Sequence, residues 1–242
     1  MIKLMLIVVT MAIFMYSASA QDRQDDTSYK VLYGQKLPYF QELITGGLYA
    51  DSPRNYGGDP FYKTRVFETG SLSINNIVYT NVLLLYDNHA DMVLTFHPIH
   101  KQKILIKPEK IDDFILEDGT IFRHFKSNSS YNHDNNGFYE VIYDHDIKVL
   151  AKHYKESEAV NEIGNITREY VSYDDYFLFF DGKFEIMNKK KQAISKLGVD
   201  KKSVKKHFRS KNLGFKFDRK EYLIELVKLQ EMSGKTFEGF HE

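Results

Sequence analysis

The sequence contains no cysteine, and this absence excludes several classes of function. Without thiols the chain can form no disulfide bond, hold no thiolate-bound metal ion and use no cysteine nucleophile. Two common motifs are missing as well. The segment at 233–236 resembles the end of a phosphate-binding loop, but Leu229 stands where that loop needs its first glycine. No Gly-x-Ser-x-Gly sequence occurs, so an α/β-hydrolase nucleophile is not indicated.

Long apolar runs are also scarce, and the one that exists lies at the N-terminus. Lys3 precedes an apolar stretch of about 13 residues at 4–16, and a small-x-small sequence ends at Ala20. A bilayer span needs roughly 20 residues, so an uncleaved membrane anchor is the weaker interpretation. The pattern is typical of a secretory signal peptide, residues 1–20, with cleavage after Ala20. We therefore expect an exported chain, periplasmic or extracellular, with no transmembrane span after cleavage.

The chain has no net charge, but the two signs are unevenly distributed. Lys and Arg number 33, as do Asp and Glu, yet residues 189–220 carry 13 basic and two acidic side chains. Such a segment can attract the phosphate groups of lipid headgroups or nucleic acid. Nucleic acid is the weaker candidate partner, because an exported protein leaves the cytoplasm. The alternative is that this segment is a lysine-rich helix that contacts only solvent. The residues predicted to contact an anionic surface are Lys189, Lys190, Lys191, Lys201, Lys202, Lys205, Lys206 and Arg209.

The strongest local pattern runs from 70 to 107, where apolar and polar residues alternate between clusters of Asn and Asp. This period of two, interrupted by turn residues, is typical of an antiparallel meander. Asp118-Gly119 and Asp181-Gly182 mark further hairpins, whereas residues 155–165 have the composition of a charged loop. Short turns of this kind favour antiparallel pairing, because a parallel crossover needs a dozen or more residues.

After residue 188 the sequence period changes from strand-like to helix-like. Asp200 is a suitable N-cap for one helix, and Asp218 with Glu221 forms a capping box for a second. The predicted fold class is α+β, mainly β, with a curled or partly closed antiparallel sheet of about ten strands and two to three C-terminal helices. The predicted division of the chain is a signal peptide at 1–20, an antiparallel β domain at 21–188 and a basic helical C-terminal segment at 189–242.

Sheet-packing and turn motifs recur along the chain. They are Tyr79-x-Asn81-Val82-x-Leu84-x-Tyr86-Asp87, Asp91-Met92-Val93, Gly137-Phe138-Tyr139-Glu140-Val141-x-Tyr143, Asp175-Tyr176-Phe177-Leu178 and Lys189-Lys190-Lys191. From about residue 67 to 229 this pattern resembles uncharacterised secreted, signal-peptide-bearing proteins of Bacteroidota. The resemblance implies an envelope or periplasmic protein with a β-rich body and a helical tail. It implies no activity.

A loop at 46–62, rich in Gly, Pro and Tyr, carries aromatic residues that could form a surface for stacking a ligand. The alternative is that these rings cover the edge of the sheet. The aromatic residues predicted to face a ligand are Tyr49, Tyr56, Phe61 and Tyr62.

Catalytic and metal-binding patterns are weak. The carboxylate pairs Asp112-Asp113, Asp174-Asp175 and Asp87/Asp91 lie at predicted turns or strand ends, which account for them better than acid–base chemistry does. His97 and His100 flank a proline, whose extended geometry separates neighbouring side chains. No catalytic, cofactor-binding or metal-binding residue is therefore predicted.

Three functions fit these patterns. The first is a non-enzymatic secreted or periplasmic envelope protein with a binding or structural role, whose partner is an envelope component or an anionic surface. The second is a carrier of an apolar or lipid-like small molecule in the concave face of the sheet. The third is a hydrolase built from dispersed carboxylates, which the lack of an assembled catalytic motif disfavours.

Overall fold

The computed structural model describes residues 41–242 except positions 45, 98–99, 127, 129, 163–164, 234–236, 238 and 241–242. The predicted signal peptide at 1–20 and the first part of the predicted β domain, up to residue 40, lie outside the described residues. Residues 42–242 form one unit, in which the sheet and the C-terminal helices share a hydrophobic core.

Eleven strands within the described residues form one sheet. The neighbour order is β1-β10-β9-β8-β7-β6-β2-β3-β4-β5, and β11 pairs with β10. The sheet remains open, and it confirms the predicted α+β, mainly β class. One pair departs from the antiparallel rule, because β1 runs parallel to β10. The strands are β1 Tyr56–Gly57, β2 Glu68–Ile74, β3 Ile77–Asp87, β4 Met92–His97, β5 Gln102–Leu105, β6 Ile111–Ile115, β7 Ile121–His124, β8 Phe138–Tyr143, β9 Lys148–Glu162, β10 Asn165–Phe180 and β11 Lys183–Ile186.

Two tight hairpins form where the turn chemistry predicted them. Asn75 and Asn76 adopt φ values of 52° and 62° between β2 and β3, and Asp181 with Gly182 adopts 47° and 75° between β10 and β11. Two-residue hairpin turns need this left-handed backbone, which Asn, Asp and Gly tolerate better than other residues. The predicted meander is also confirmed, because β2, β3, β4 and β5 are neighbours in chain order.

The full length of the two longest strands was not predicted. Residues 155–165 were predicted as a charged loop, but 155–162 belong to β9 and 165 begins β10, two strands of 15 and 16 residues that pair as a ribbon. Polar residues are compatible with a strand when cross-strand neighbours supply their contacts. Here Tyr154 stacks on Tyr173 with ring centroids 5.4 Å apart, and the Arg168 Nε donates to the Ser157 Oγ at 3.2 Å.

Three helices follow the sheet: α1 Lys190–Lys196, α2 Lys201–Lys211 and α3 Arg219–Met232. Asp200 caps α2 as predicted, because its Oδ2 accepts a hydrogen bond from the Ser203 N–H at 2.9 Å. The capping box predicted for α3 is wrong. The Asp218 carboxylate makes no cap hydrogen bond and instead accepts from the Gly214 N–H at 3.0 Å, which closes the preceding turn.

The helices pack on one face of the sheet around β9 and β10. Val149 and Leu178 contribute the sheet side of this core, and Leu223 of α3 faces them. The basic helix α2 is held by Val204 and Phe208, which are both buried. The rest of α2 therefore projects its lysines into solvent.

Candidate functional site: a basic groove beside an exposed phenylalanine

A groove of about 810 Å³ lies between α1, α2 and the loop that leads to α3. Its floor is apolar and consists of Ile194, Val204, Phe208 and Leu213. Its rim is cationic. We call this feature the basic groove, and its rim residues are Lys190, Lys201, Lys205 and Arg209.

The helical repeat explains how α2 places three of these cations together. Lys201, Lys205 and Arg209 are each four residues apart, so they follow one face of a helix with 3.6 residues per turn. Val204 and Phe208 are adjacent to that row, and both are buried. One side of α2 therefore supplies both the apolar floor and most of the cationic rim.

The rim cations differ from other lysines nearby in their ion pairing. Other lysines nearby do form ion pairs: Lys196 with Glu185 at 3.1 Å and Lys211 with Glu225 at 2.5 Å. Across the described part of the chain, no carboxylate pairs with the rim cations of α2. Asp218 is the acidic member of the lining, and its Oδ2 already accepts from the Gly214 N–H. The groove is thus positively charged and open to an anion.

Phe217 lies at the edge of the basic groove with 85% of its surface exposed. A turn fixes this position, because the Phe217 N–H donates to the Gly214 carbonyl at 3.1 Å. The Lys216 Nζ is 5.7 Å from the ring centroid. An exposed ring beside cations is suited to contact with an amphipathic anionic surface.

The structure brings together half of the basic residues predicted from the sequence. Lys190, Lys201, Lys205 and Arg209 line the groove. The other four are exposed but lie outside its lining. These are Lys189, Lys191, Lys202 and Lys206.

The aromatic residues predicted to face a ligand make several contacts within the protein. Phe61 and Tyr62 are only 5% and 8% exposed. The Tyr49 hydroxyl donates to the Asp87 Oδ2 at 2.7 Å, and the Tyr56 ring lies 5.5 Å from that of Tyr170. Tyr56 and Phe61 border a shallow cavity of about 280 Å³. That these rings contact a ligand stays a prediction.

A second polar cluster lies on the helix side of the sheet. The His153 Nδ1–H donates to the Asp174 Oδ1 at 2.5 Å, and its Nε2–H donates to the Glu140 Oε2 at 2.7 Å. Lys220 of α3 donates to the other oxygen of Glu140. The Tyr62 ring covers His153 with centroids 4.9 Å apart. We call these four hydrogen-bonded residues, His153, Asp174, Glu140 and Lys220, the histidine clamp.

The charges of the histidine clamp support one another. Burial opposes the charged imidazolium, but the hydrogen bonds to Asp174 and Glu140 outweigh it and raise the pKa of His153. Burial also opposes the charged Glu140 carboxylate, but His153 and Lys220 outweigh it and lower the pKa of Glu140. Both ring nitrogens of His153 are occupied, so neither is available to act as a general base. The clamp therefore joins α3 to the sheet.

Members of two of the carboxylate pairs considered for hydrolysis have other partners. Asp174 and Asp175 are neighbours in β10 and point to opposite faces; the first contacts His153, and the second accepts from the Tyr131 hydroxyl at 2.7 Å. Asp112 accepts from the Asn76 N–H at 2.6 Å and so supports the first hairpin turn.

No family model, curated protein or solved structure matches the chain. Among the helices described, none is both long and apolar enough to cross a bilayer. In the described ranges, no three His, Asp or Glu side chains are arranged to hold a metal ion.

Proposed function

We propose that the protein is a secreted, non-enzymatic envelope protein that binds an anionic lipid surface through the basic groove and Phe217. The observation that carries this proposal is an 85% exposed phenylalanine beside four rim cations. Peripheral membrane proteins combine these elements, because lysines are attracted to anionic headgroups while an aromatic ring enters the interface. Export is supported by the signal-peptide pattern at residues 1–20.

The expected binding energy is divided between charge and burial. A Lys or Arg near an anionic membrane contributes about 1 kcal/mol, so the four rim cations supply about 4 kcal/mol. Burial of the Phe217 ring adds about 2 kcal/mol. Neither contribution suffices alone for stable attachment, because about 4 kcal/mol corresponds to a Kd of only about 1 mM. The proposal therefore requires both parts of the site.

The two contributions can be tested separately with vesicles of phosphatidylglycerol and phosphatidylcholine. Phe217→Ala should weaken co-sedimentation about thirtyfold and leave the salt dependence unchanged, because it removes about 2 kcal/mol of apolar burial. The double variant Lys201→Ala/Lys205→Ala should weaken binding by a similar factor. It should also reduce the salt dependence, because two charge contacts are lost.

The matched control removes the same charge from another part of the surface. Lys107→Ala/Lys126→Ala changes two exposed lysines that lie outside the groove. This control should bind the vesicles as the unmodified protein does. Equal loss of binding in the two double variants would contradict a localised site, since only net charge would then matter.

A further inference from the structure

A buried ion pair joins the turn between β3 and β4 to strand β9. The Lys152 Nζ lies 2.6 Å from the Asp91 Oδ2, and the two side chains are only 1% and 2% exposed. The two residues are 61 positions apart in the sequence. Taking two charges out of water is costly, and their attraction offsets that cost only with excellent geometry. The attraction between surface charges therefore does not explain why this pair is buried.

Hydrogen bonds from neighbouring residues hold the Lys152 amine against the Asp91 carboxyl group. The Tyr86 hydroxyl donates to the Asp91 Oδ1 at 2.7 Å, and the Asn136 N–H donates to the Oδ2 at 2.7 Å. On the other side, the Lys152 Nζ also donates to the Phe138 carbonyl at 2.9 Å. Both partners are thus held in one orientation. Holding two reacting groups in a fixed geometry raises their effective concentration and so favours a reaction between them.

The environment also favours an uncharged, nucleophilic amine. The Lys152 Nζ lies 5.0 Å from the centroid of the Tyr139 ring, and both side chains of the pair are almost fully buried. Burial lowers the pKa of Lys152, although Asp91 opposes that shift. A desolvated lysine with a lowered pKa is an activated nucleophile.

We propose that the Lys152 amine and the Asp91 carboxyl group condense to an amide, an intramolecular isopeptide bond, with loss of one water. One proton first passes from the ammonium to the Oδ2 along the 2.6 Å hydrogen bond. The nitrogen lone pair then attacks the Asp91 carboxyl carbon, and the Tyr86 hydroxyl stabilises the negative charge that develops on the Oδ1.

The attack gives a tetrahedral intermediate, which then breaks down to the amide and water. The Oδ2 receives a second proton from the nitrogen and leaves as water, while the bond between the nitrogen and the carboxyl carbon is retained. The third amine proton stays on the new amide, where it can donate to the Phe138 carbonyl. No oxidant, reductant or other reactant is consumed. The product ties the β3–β4 turn to β9 in a chain that has no cysteine for disulfides.

Intact-mass spectrometry of the purified, folded full chain tests this directly. After sequencing of its N-terminus, the mature chain should weigh less than its sequence mass by one water. Lys152→Met and Asp91→Ala should each restore the full sequence mass. Lys155→Met is the matched control, because Lys155 is a neighbouring lysine of β9 that pairs with Asp59 at 3.3 Å. This control should keep the mass loss.

Peptide mapping tests the same bond in the unmodified protein, so the result does not depend on how well the variants fold. Digestion of the unmodified protein should release one branched peptide that contains both Asp91 and Lys152. An unmodified chain with its full sequence mass would overturn the proposal. So would a loss of water that maps to any other pair of residues.

Discussion

His153 is the titratable residue whose removal should change the stability of this protein most clearly with pH. The substitution His153→Gln removes the positive charge between Glu140 and Asp174, and glutamine can keep one of the two hydrogen bonds. Hydrogen bonds to charged groups contribute about 1.5–3 kcal/mol each. We therefore expect the variant to lose about 1.5–3 kcal/mol of unfolding free energy at a pH where His153 is charged.

The direction of the pH dependence follows from the raised pKa of His153. The folded protein holds the proton more tightly than the unfolded chain, so this stabilisation is complete below the unfolded pKa of about 6.5. It declines as the pH rises through the folded value, by about 1.4 kcal/mol per pH unit. Glu140 sets the acid limit, because its lowered pKa gives a stabilisation that is lost as the pH falls.

Urea unfolding of both proteins at about pH 6, 7 and 8 measures this effect, since histidine is the side chain that normally titrates there. The difference in unfolding free energy between the unmodified protein and His153→Gln should shrink as the pH rises. The remaining histidines are common to both proteins and cancel in the difference. A difference that stays constant over this range would refute the assignment of His153 as a charged clamp.

Two further substitutions test the packing. Phe208→Ala removes a ring that is 5% exposed and stacked 3.8 Å from Tyr222, so chemical denaturation should show a loss of about 3–5 kcal/mol; a loss under about 1 kcal/mol would mean that α2 is not anchored there. Gly70→Ala places a methyl carbon 2.3 Å from the Ile115 carbonyl oxygen, which forces β2 and β6 apart. We expect it to lower the thermal midpoint, with a loss of about 1–3 kcal/mol, and an unchanged midpoint would contradict the observed strand pairing.

The sequence predicted those parts of the fold that local chemistry determines. Asn75-Asn76 and Asp181-Gly182 specify tight turns by themselves, and alternating apolar residues define the strands between them. Asp200 likewise needs only the following turn of helix to act as a cap. The full length of the β9–β10 ribbon could not be predicted in this way. Its polar residues resemble a loop until cross-strand partners such as Tyr154 and Tyr173 are known.

The candidate site was only partly accessible from the sequence. The spacing of Lys201, Lys205 and Arg209 is visible as soon as a helix is assumed there. The contribution of Lys190 depends on how α1 packs beside α2, and the exposure of Phe217 depends on the turn that precedes α3. Both are tertiary effects without a local signal. The same holds for the buried Asp91–Lys152 pair, whose members are 61 positions apart.

Binding of the unmodified protein to vesicles is the most direct test of the proposed lipid contact. Phosphatidylcholine vesicles with and without phosphatidylglycerol would be compared by co-sedimentation at about 0.1 M and about 1 M salt, where the Debye length falls from roughly 10 to 3 Å. We expect binding only to the vesicles that contain phosphatidylglycerol, and we expect it to be lost at the higher salt concentration. Equal binding to both kinds of vesicle, or no binding to either, would contradict the proposed function.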